Sequence, residues 1–130
     1  MTDDQIAAHQ SPSAGHLVLD HIAHFVPGMD QAARALEALG FVLTPFSEQS
    51  TRNPQGALVP AGSANRCVML ESGYLEILTP IADTPNARLL RAALARHTGV
   101  HLIALGTPAA EEEHARLAAH GFAPPPLVRL

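Results

Sequence analysis

The chain has 130 residues, 47% of them hydrophobic, with 8 Lys plus Arg against 12 Asp plus Glu. This length and apolar content suit one ordinary domain, and a formal net charge of -4 gives no basic surface for a nucleic-acid backbone. No apolar run reaches the roughly 20 residues of a membrane-spanning helix, and the polar, acidic start is unlike a signal peptide. We therefore expect a cytoplasmic protein with neither nucleic acid nor membrane as a partner.

The first predicted elements are a leader, a strand and a helix. Residues 1–15 show no sustained period and predict a flexible leader. The branched apolar run at 16–26 is typical of a strand, and Pro27-Gly28 ends it. Apolar residues recur at helical spacing over 30–39, and Gly40 closes this predicted helix.

A short strand, a loop and a hairpin are predicted next. Residues 41–46 predict a second strand, and the polar segment 47–64 predicts a long loop. A loop of this length often borders a binding site. Two apolar strands at 65–70 and 74–78, separated by Glu-Ser-Gly at 71–73, predict a hairpin.

The last third of the chain predicts two helices around a strand. One helix starts at Thr84-Pro85 and ends near His97, and an apolar strand follows at 100–105. The other helix carries Glu111–Glu113 near its positive end, where we expect them to stabilise the helix rather than to catalyse. Residues 122–130 predict one more strand, confined to a sheet edge by three consecutive prolines.

The chain contains an internal repeat of the order strand, helix, Gly-Phe. The clearest match is "ARALEALGF" in the first half against "ARLAAHGF" in the second. The second copy has no counterpart of the hairpin "NRCVMLESGYLEIL". We therefore expect one complete module and part of another.

The strand "LDHIAHFV", the helix end "LEALGF" and the strand "GYLEILTP" resemble the vicinal oxygen chelate superfamily, and "ANRCVMLESGYLEILTP" resembles its glyoxalase-like-domain branch. The resemblance covers residues 17–130. It implies an α+β fold in which a βαβββ module precedes a partial βαβ module, with a curved mixed sheet and helices on its outer face. The implied domain is 16–130, divided into a complete module at 16–80, a linking helix at 81–99 and a partial module at 100–130.

The resemblance also implies a metal site. It places the first-strand ligand on His21 and the fourth-strand ligand on Glu76, with a catalytic role for Glu76. An imidazole nitrogen and a carboxylate oxygen suit divalent ions such as Ni, Zn, Mn, Fe or Co. Two alternatives remain open from the residues themselves. His21 could hydrogen-bond Glu76 directly, or strand alternation could place one of them at the surface.

The second module departs from the superfamily pattern. Alignment of its first strand with "LDHIAHFV" puts Leu102 at the ligand position of His21, and the strand for a fourth ligand is absent from the chain. Two protein ligands are fewer than the three of a typical catalytic zinc site. His101 could contribute only if the strand register slipped by one residue.

Several other residues could serve a site. Asn65 and Arg66 beside the long loop could bind the carbonyl or carboxylate of a ligand, and Tyr74 could place its hydroxyl at the rim, although Arg66 could equally be solvated and Tyr74 could close the hairpin. His24 should face away from His21. The only cysteine, Cys67, can form no internal disulfide and is read as a small buried side chain.

Three functions fit these patterns. The resemblance implies a divalent-metal-dependent lyase, isomerase or dioxygenase that acts on a small oxygenated molecule. The alternatives are a metal-free protein that binds a small molecule, and an inactive N-terminal portion of a two-module protein. Because a half-barrel leaves an apolar face and open strand edges, we also expect a homodimer.

Overall fold

A five-stranded mixed sheet and three helices make up residues 12–128, the part of the chain that the computed structural model describes. The strands are β1 (Val18–Phe25), β2 (Ser47–Arg52), β3 (Leu58–Met69), β4 (Tyr74–Pro80) and β5 (Gly99–Gly106). The helices are α1 (Met29–Ala38), α2 (Pro85–Leu94) and α3 (Ala110–Ala119). The strand order is β2-β3-β4-β1-β5, with β1 parallel to β4 and β3 antiparallel to its two neighbours. The predicted α+β class and mixed sheet are confirmed.

The helix α1 begins and ends close to its predicted bounds. Gly28 precedes its first turn in an extended conformation. At its other end Gly40 has φ of 92°, the amide of Gly40 donates to Glu37 O at 2.9 Å, and the amide of Phe41 donates to Leu36 O at 3.1 Å. These two bonds satisfy carbonyls of the last turn, and the positive φ explains why glycine stands there.

The predicted second strand and long loop are wrong. Residues 41–46 contribute a single bridge, between Leu43 and Val68, whereas β2 and the first half of β3 pair within the segment predicted as loop. The strand β2 reads SEQSTR, lies at the sheet edge and is largely exposed. Because such a strand buries no apolar face, hydrophobic periodicity does not reveal it.

The hairpin of β3 and β4 is confirmed and is longer than predicted. Its register places Cys67 opposite Glu76 and Asn65 opposite Leu78. The turn closes where Leu70 N donates to Gly73 O at 3.2 Å.

The helices α1 and α2 pack against opposite faces of the sheet. Met29 of α1 packs with the buried residues Val26 and Ile77. Leu90 of α2 packs with Ala23, Phe25 and Leu78. Successive strand residues point to opposite faces, so Ile77 faces α1 while Leu78 faces α2. The helix α1 therefore lies on the outer face as predicted, while α2 covers the end of the face that carries Glu76.

The described chain separates into two compact units, residues 20–104 and residues 12–19 with 105–128. In the second unit the three glutamates Glu111–Glu113 lie in the first turn of α3, as predicted. Residues 122–128 form no strand, because three prolines there lack the N–H that a ladder needs.

Parts of two predictions lie outside the described residues. They are the first eleven residues of the predicted leader and the last two residues of the predicted final strand. Within residues 12–128, no helix has the length and apolar character needed to span a membrane.

Candidate functional site

Glu76 is the buried carboxylate at the centre of the candidate site, with 8% of the residue exposed. It lies on β4, opposite Ala23 of β1 and Cys67 of β3. Its Oε1 accepts hydrogen bonds from Asn65 Nδ2 at 2.6 Å and from Gln49 Nε2 at 3.2 Å. A buried carboxylate requires such partners, and here both amide donors hold the same oxygen. The other oxygen, Oε2, faces His21.

His21 is oriented by a second carboxylate. Its Nδ1 lies 2.7 Å from Asp20 Oδ2, and its Nε2 lies 3.8 Å from Glu76 Oε2. An ionised carboxylate can only accept a hydrogen bond, so the Nδ1 hydrogen is donated to Asp20. In the neutral imidazole Nε2 then carries a lone pair, 3.8 Å from Glu76 Oε2.

Tyr74 forms one wall of the site. Its ring stacks on the ring of His21, with centroids 4.4 Å apart and an interplanar angle of 13°. Burial raises the pKa of Tyr74, and the negative charges of Asp20 and Glu76 raise it further. The hydroxyl is therefore a protonated hydrogen-bond donor at neutral pH.

Gln49 links Glu76 to a row of polar side chains. Ser63 Oγ donates to Gln49 Oε1 at 2.7 Å, and Asn86 Nδ2 donates to Ser63 Oγ at 3.3 Å. Sequence reasoning missed all three residues, because it placed Gln49 and Ser63 in a loop and assigned Asn86 only to a helix. The alternation of Ser63 and Asn65 within a small apolar run is the signal that could have found Ser63.

Cys67 is half-buried on β3 opposite Glu76 rather than fully buried in the core. Burial raises the pKa of its thiol, and the charge of Glu76 raises it further, against the hydrogen bond to Thr44, which lowers it. The thiol is therefore protonated at neutral pH and is a poor nucleophile.

The structure does not bring every predicted residue to this site. Arg66 donates from Nε to Thr44 O at 2.8 Å and from Nη2 to Glu37 Oε1 at 3.5 Å, on the α1 side of the sheet. His24 also lies on the face opposite His21, as predicted. The ring of His101 lies 5.0 Å from that of Phe25, and Phe25 is about 13 Å along β1 from His21 at the usual rise per residue.

The sequence of the chain matches a protein-family model described as "Glyoxalase-like domain", over residues 19–130. The chain belongs to the glyoxalase-like domain family. This membership confirms the resemblance to the vicinal oxygen chelate superfamily. No curated protein sequence matches the chain significantly.

Solved structures share the fold of this glyoxalase-like domain. A hypothetical protein of Bacillus halodurans C-125 is 21% identical, with a TM-score of 0.61 over 81% of this chain and 69% of that one. A variant of the Streptomyces coelicolor methylmalonyl-CoA epimerase in complex with 2-nitronate-propionyl-CoA is 21% identical, with a TM-score of 0.55 over 80% and 69%. A methylmalonyl-CoA epimerase in complex with methylmalonyl-CoA and NH4+ is 22% identical, with a TM-score of 0.54 over 79% and 69%. At these identities the likeness shows the fold alone.

The donor set of this glyoxalase-like domain suits a divalent ion in part. Each donor atom lies about 2 Å from a bound zinc ion, so His21 Nε2 and Glu76 Oε2, 3.8 Å apart, can contact one ion. A carboxylate on the other nitrogen, here Asp20, is the usual partner of a metal-binding histidine. Within residues 12–128, however, no three His, Cys, Asp or Glu side chains are grouped closely enough to hold a metal. The described part of the chain therefore offers two of the usual protein ligands.

Proposed function

We propose that this glyoxalase-like domain binds a small oxygenated molecule at Glu76 and acts on it as a divalent-metal-dependent lyase, isomerase or dioxygenase. The observation that carries the proposal is the approach of His21 Nε2 to Glu76 Oε2 at 3.8 Å, with Asp20 bound to the opposite ring nitrogen. Those two atoms would hold the ion, of which Ni, Zn, Mn, Fe and Co are the candidates. A bound divalent ion would supply Lewis-acid polarisation of a substrate oxygen.

The other residues of the site bind and orient in this proposal. Two amide donors, from Asn65 and Gln49, fix Glu76 Oε1, so Oε2 is the oxygen available to a ligand or a proton. In this proposal the Tyr74 hydroxyl and the second N–H of the Asn65 amide would bind substrate oxygens, whereas Arg66 hydrogen-bonds on the other face of the sheet.

A metal-free binding protein is the second candidate function. It is favoured by the small number of ionisable donors grouped in the described residues. The amides of Gln49 and Asn65 beside a buried carboxylate can hydrogen-bond a carbonyl or a hydroxyl without an ion.

Metal content separates these two functions. We expect near-stoichiometric metal in protein purified without chelator, and its loss in His21→Ala and in Glu76→Ala, because each variant removes one of two protein ligands. Elemental analysis for Ni, Zn, Mn, Fe and Co measures it. The matched control is His24→Ala, which removes a histidine from the opposite face of the same strand. Wild-type protein without metal, even after reconstitution, would contradict the metalloenzyme and favour the binding protein.

We also propose that the protein forms a homodimer through β5. This strand ends the sheet order, and its apolar residues Val100, Leu102 and Ile103 are exposed, Ile103 to 65%. A free strand edge with exposed apolar side chains is a template for association.

Sedimentation equilibrium tests the dimer. We expect about twice the chain mass of 13.7 kDa and a shift toward one chain in Ile103→Asp, because a charge on β5 opposes pairing. Val42→Asp, at an exposed position away from β5, should remain dimeric. A single-chain mass for the wild type at all concentrations would contradict the dimer.

A further inference from the structure

A groove of two adjoining cavities begins beside Gln49 and Asn65, the two residues that hydrogen-bond Glu76. Its first part is a polar cavity of about 430 Å³ that Gln49 and Asn65 line. Its second part is a cavity of about 520 Å³ between the β2-β3 hairpin and α2. Thr51, Ala61 and Asn86 line both cavities, so the two adjoin. Each volume is within the range of cavities that bind small molecules.

We propose that the second cavity holds the apolar tail of the ligand whose oxygenated head lies at Glu76. We name it the tail pocket and define it by the apolar side chains that line it, Pro54, Val59, Pro60, Ala61, Pro85 and Leu89. The inference rests on the proposed function, since it places the head of the ligand at the same carboxylate. The ligand class is therefore a neutral oxygenated head joined to a hydrocarbon tail.

The polarity of the groove changes along β3. Asn65 lines the first cavity, Val59 lines the second, and Ala61, which lies between them on β3, lines both. The amide of Asn65 binds Glu76 at 2.6 Å, whereas Val59 and Leu89 line the second cavity beyond Ala61. An extended ligand in the groove would therefore form hydrogen bonds at one end and apolar contacts at the other.

Two polar side chains that line the tail pocket, Thr84 and Arg52, form hydrogen bonds within the protein. Thr84 Oγ1 donates to Ala61 O at 2.6 Å and accepts from Ala87 N at 3.1 Å, and Arg52 Nη1 donates to Gly56 O at 2.8 Å. Proline rings and the small side chain of Ala61, which is 5% exposed, line the pocket. These side chains lose little conformational freedom when a ligand binds. These features favour an apolar tail.

Binding of a chain-length series tests the tail pocket. Octane-1,2-diol, decane-1,2-diol and dodecane-1,2-diol offer hydroxyls to Glu76 and Asn65 with tails of increasing length. We expect roughly fourfold tighter binding for each buried methylene, measured by titration calorimetry on the full chain. Shifts of Val59 and Leu89 methyl resonances would mark the place of the tail.

Two variants of matched exposure make the test specific. Leu89→Asp puts a charge in the tail pocket and should abolish the dependence on chain length, because a carboxylate opposes hydrocarbon binding. Leu39→Asp makes the same change on the α1 side, where Leu39 is 74% exposed against 71% for Leu89, and should keep the full dependence. Val59→Thr, nearly unchanged in shape, should weaken only the longer diols.

The outcomes distinguish this inference from the proposed function. Equal affinity across the series, no binding of any diol, or an unchanged dependence in Leu89→Asp would overturn the tail pocket. Elemental analysis of the same samples reports independently on the metal. A metal-loaded protein whose affinity does not depend on chain length would support the metalloenzyme and contradict the tail pocket. Chain-length dependence in metal-free protein would support the pocket while contradicting the metalloenzyme.

Discussion

Replacing Leu90 by alanine is expected to lower the free energy of unfolding by about 2–5 kcal/mol. Leu90 is 6% exposed and packs with Ala23, Phe25 and Leu78, so it attaches α2 to the sheet. Truncation removes its buried methyl groups and leaves a cavity that the sheet cannot close. Urea unfolding followed by circular dichroism measures the change.

The neighbouring residue provides the control for this prediction. Leu89 is 71% exposed on the same helix, so Leu89→Ala should change the free energy of unfolding by no more than about 0.5 kcal/mol. Equal losses from the two substitutions would mean that α2 is not held by Leu90. The packing of α2 against the face that carries Glu76 would then be in doubt.

Replacing Gly62 by alanine is expected to lower the free energy of unfolding by about 2–4 kcal/mol, from two causes. Gly62 has φ of 78°, where an alanine costs roughly 1–2 kcal/mol. An added Cβ would also lie 2.3 Å from Thr84 Oγ1. Thr84 caps α2 through Ala87 N, and loss of such a cap costs about 0.5–2 kcal/mol.

A substitution of Gly56 measures the backbone cost separately from the contact with Thr84. Its φ is 80°, nearly that of Gly62, but no atom lies within 4 Å of an added Cβ. Gly56→Ala should therefore lose only the backbone part, roughly 1–2 kcal/mol. If thermal or urea unfolding gave the same loss for both glycines, the contact of Gly62 with Thr84 would not contribute.

The order of the elements was largely predictable from the sequence, except around β2. The helix α1 has apolar spacing and a closing glycine, and the β3-β4 hairpin has two apolar runs around Gly73. Those signals are local. The strand β2 lies at an edge and is polar throughout, so its pairing with β3 is a tertiary effect that no local pattern reports.

The candidate site was predictable only in part. The resemblance predicted that His21 and Glu76 lie close together, on the same face of one sheet. The choice between Asn65 and Arg66 depended on which of two adjacent residues faces Glu76, and that is set by the pairing of Cys67 with Glu76. Strand pairing across a sheet is not encoded in periodicity alone, so the sequence did not show that Arg66 lies on the face opposite Glu76.

The position of β2 at the margin of the sheet has a consequence for the dynamics of Glu76. An edge strand opens locally at a lower free energy than a strand with two neighbours. Of the two donors to Glu76 Oε1, Gln49 belongs to that margin and Asn65 to the interior strand β3. When β2 opens locally, Glu76 keeps its hydrogen bond from Asn65, loses the one from Gln49 and gains rotational freedom. The buried packing under α1 and α2 stays intact. An edge strand of the fold thus sets how rigidly the central carboxylate is held.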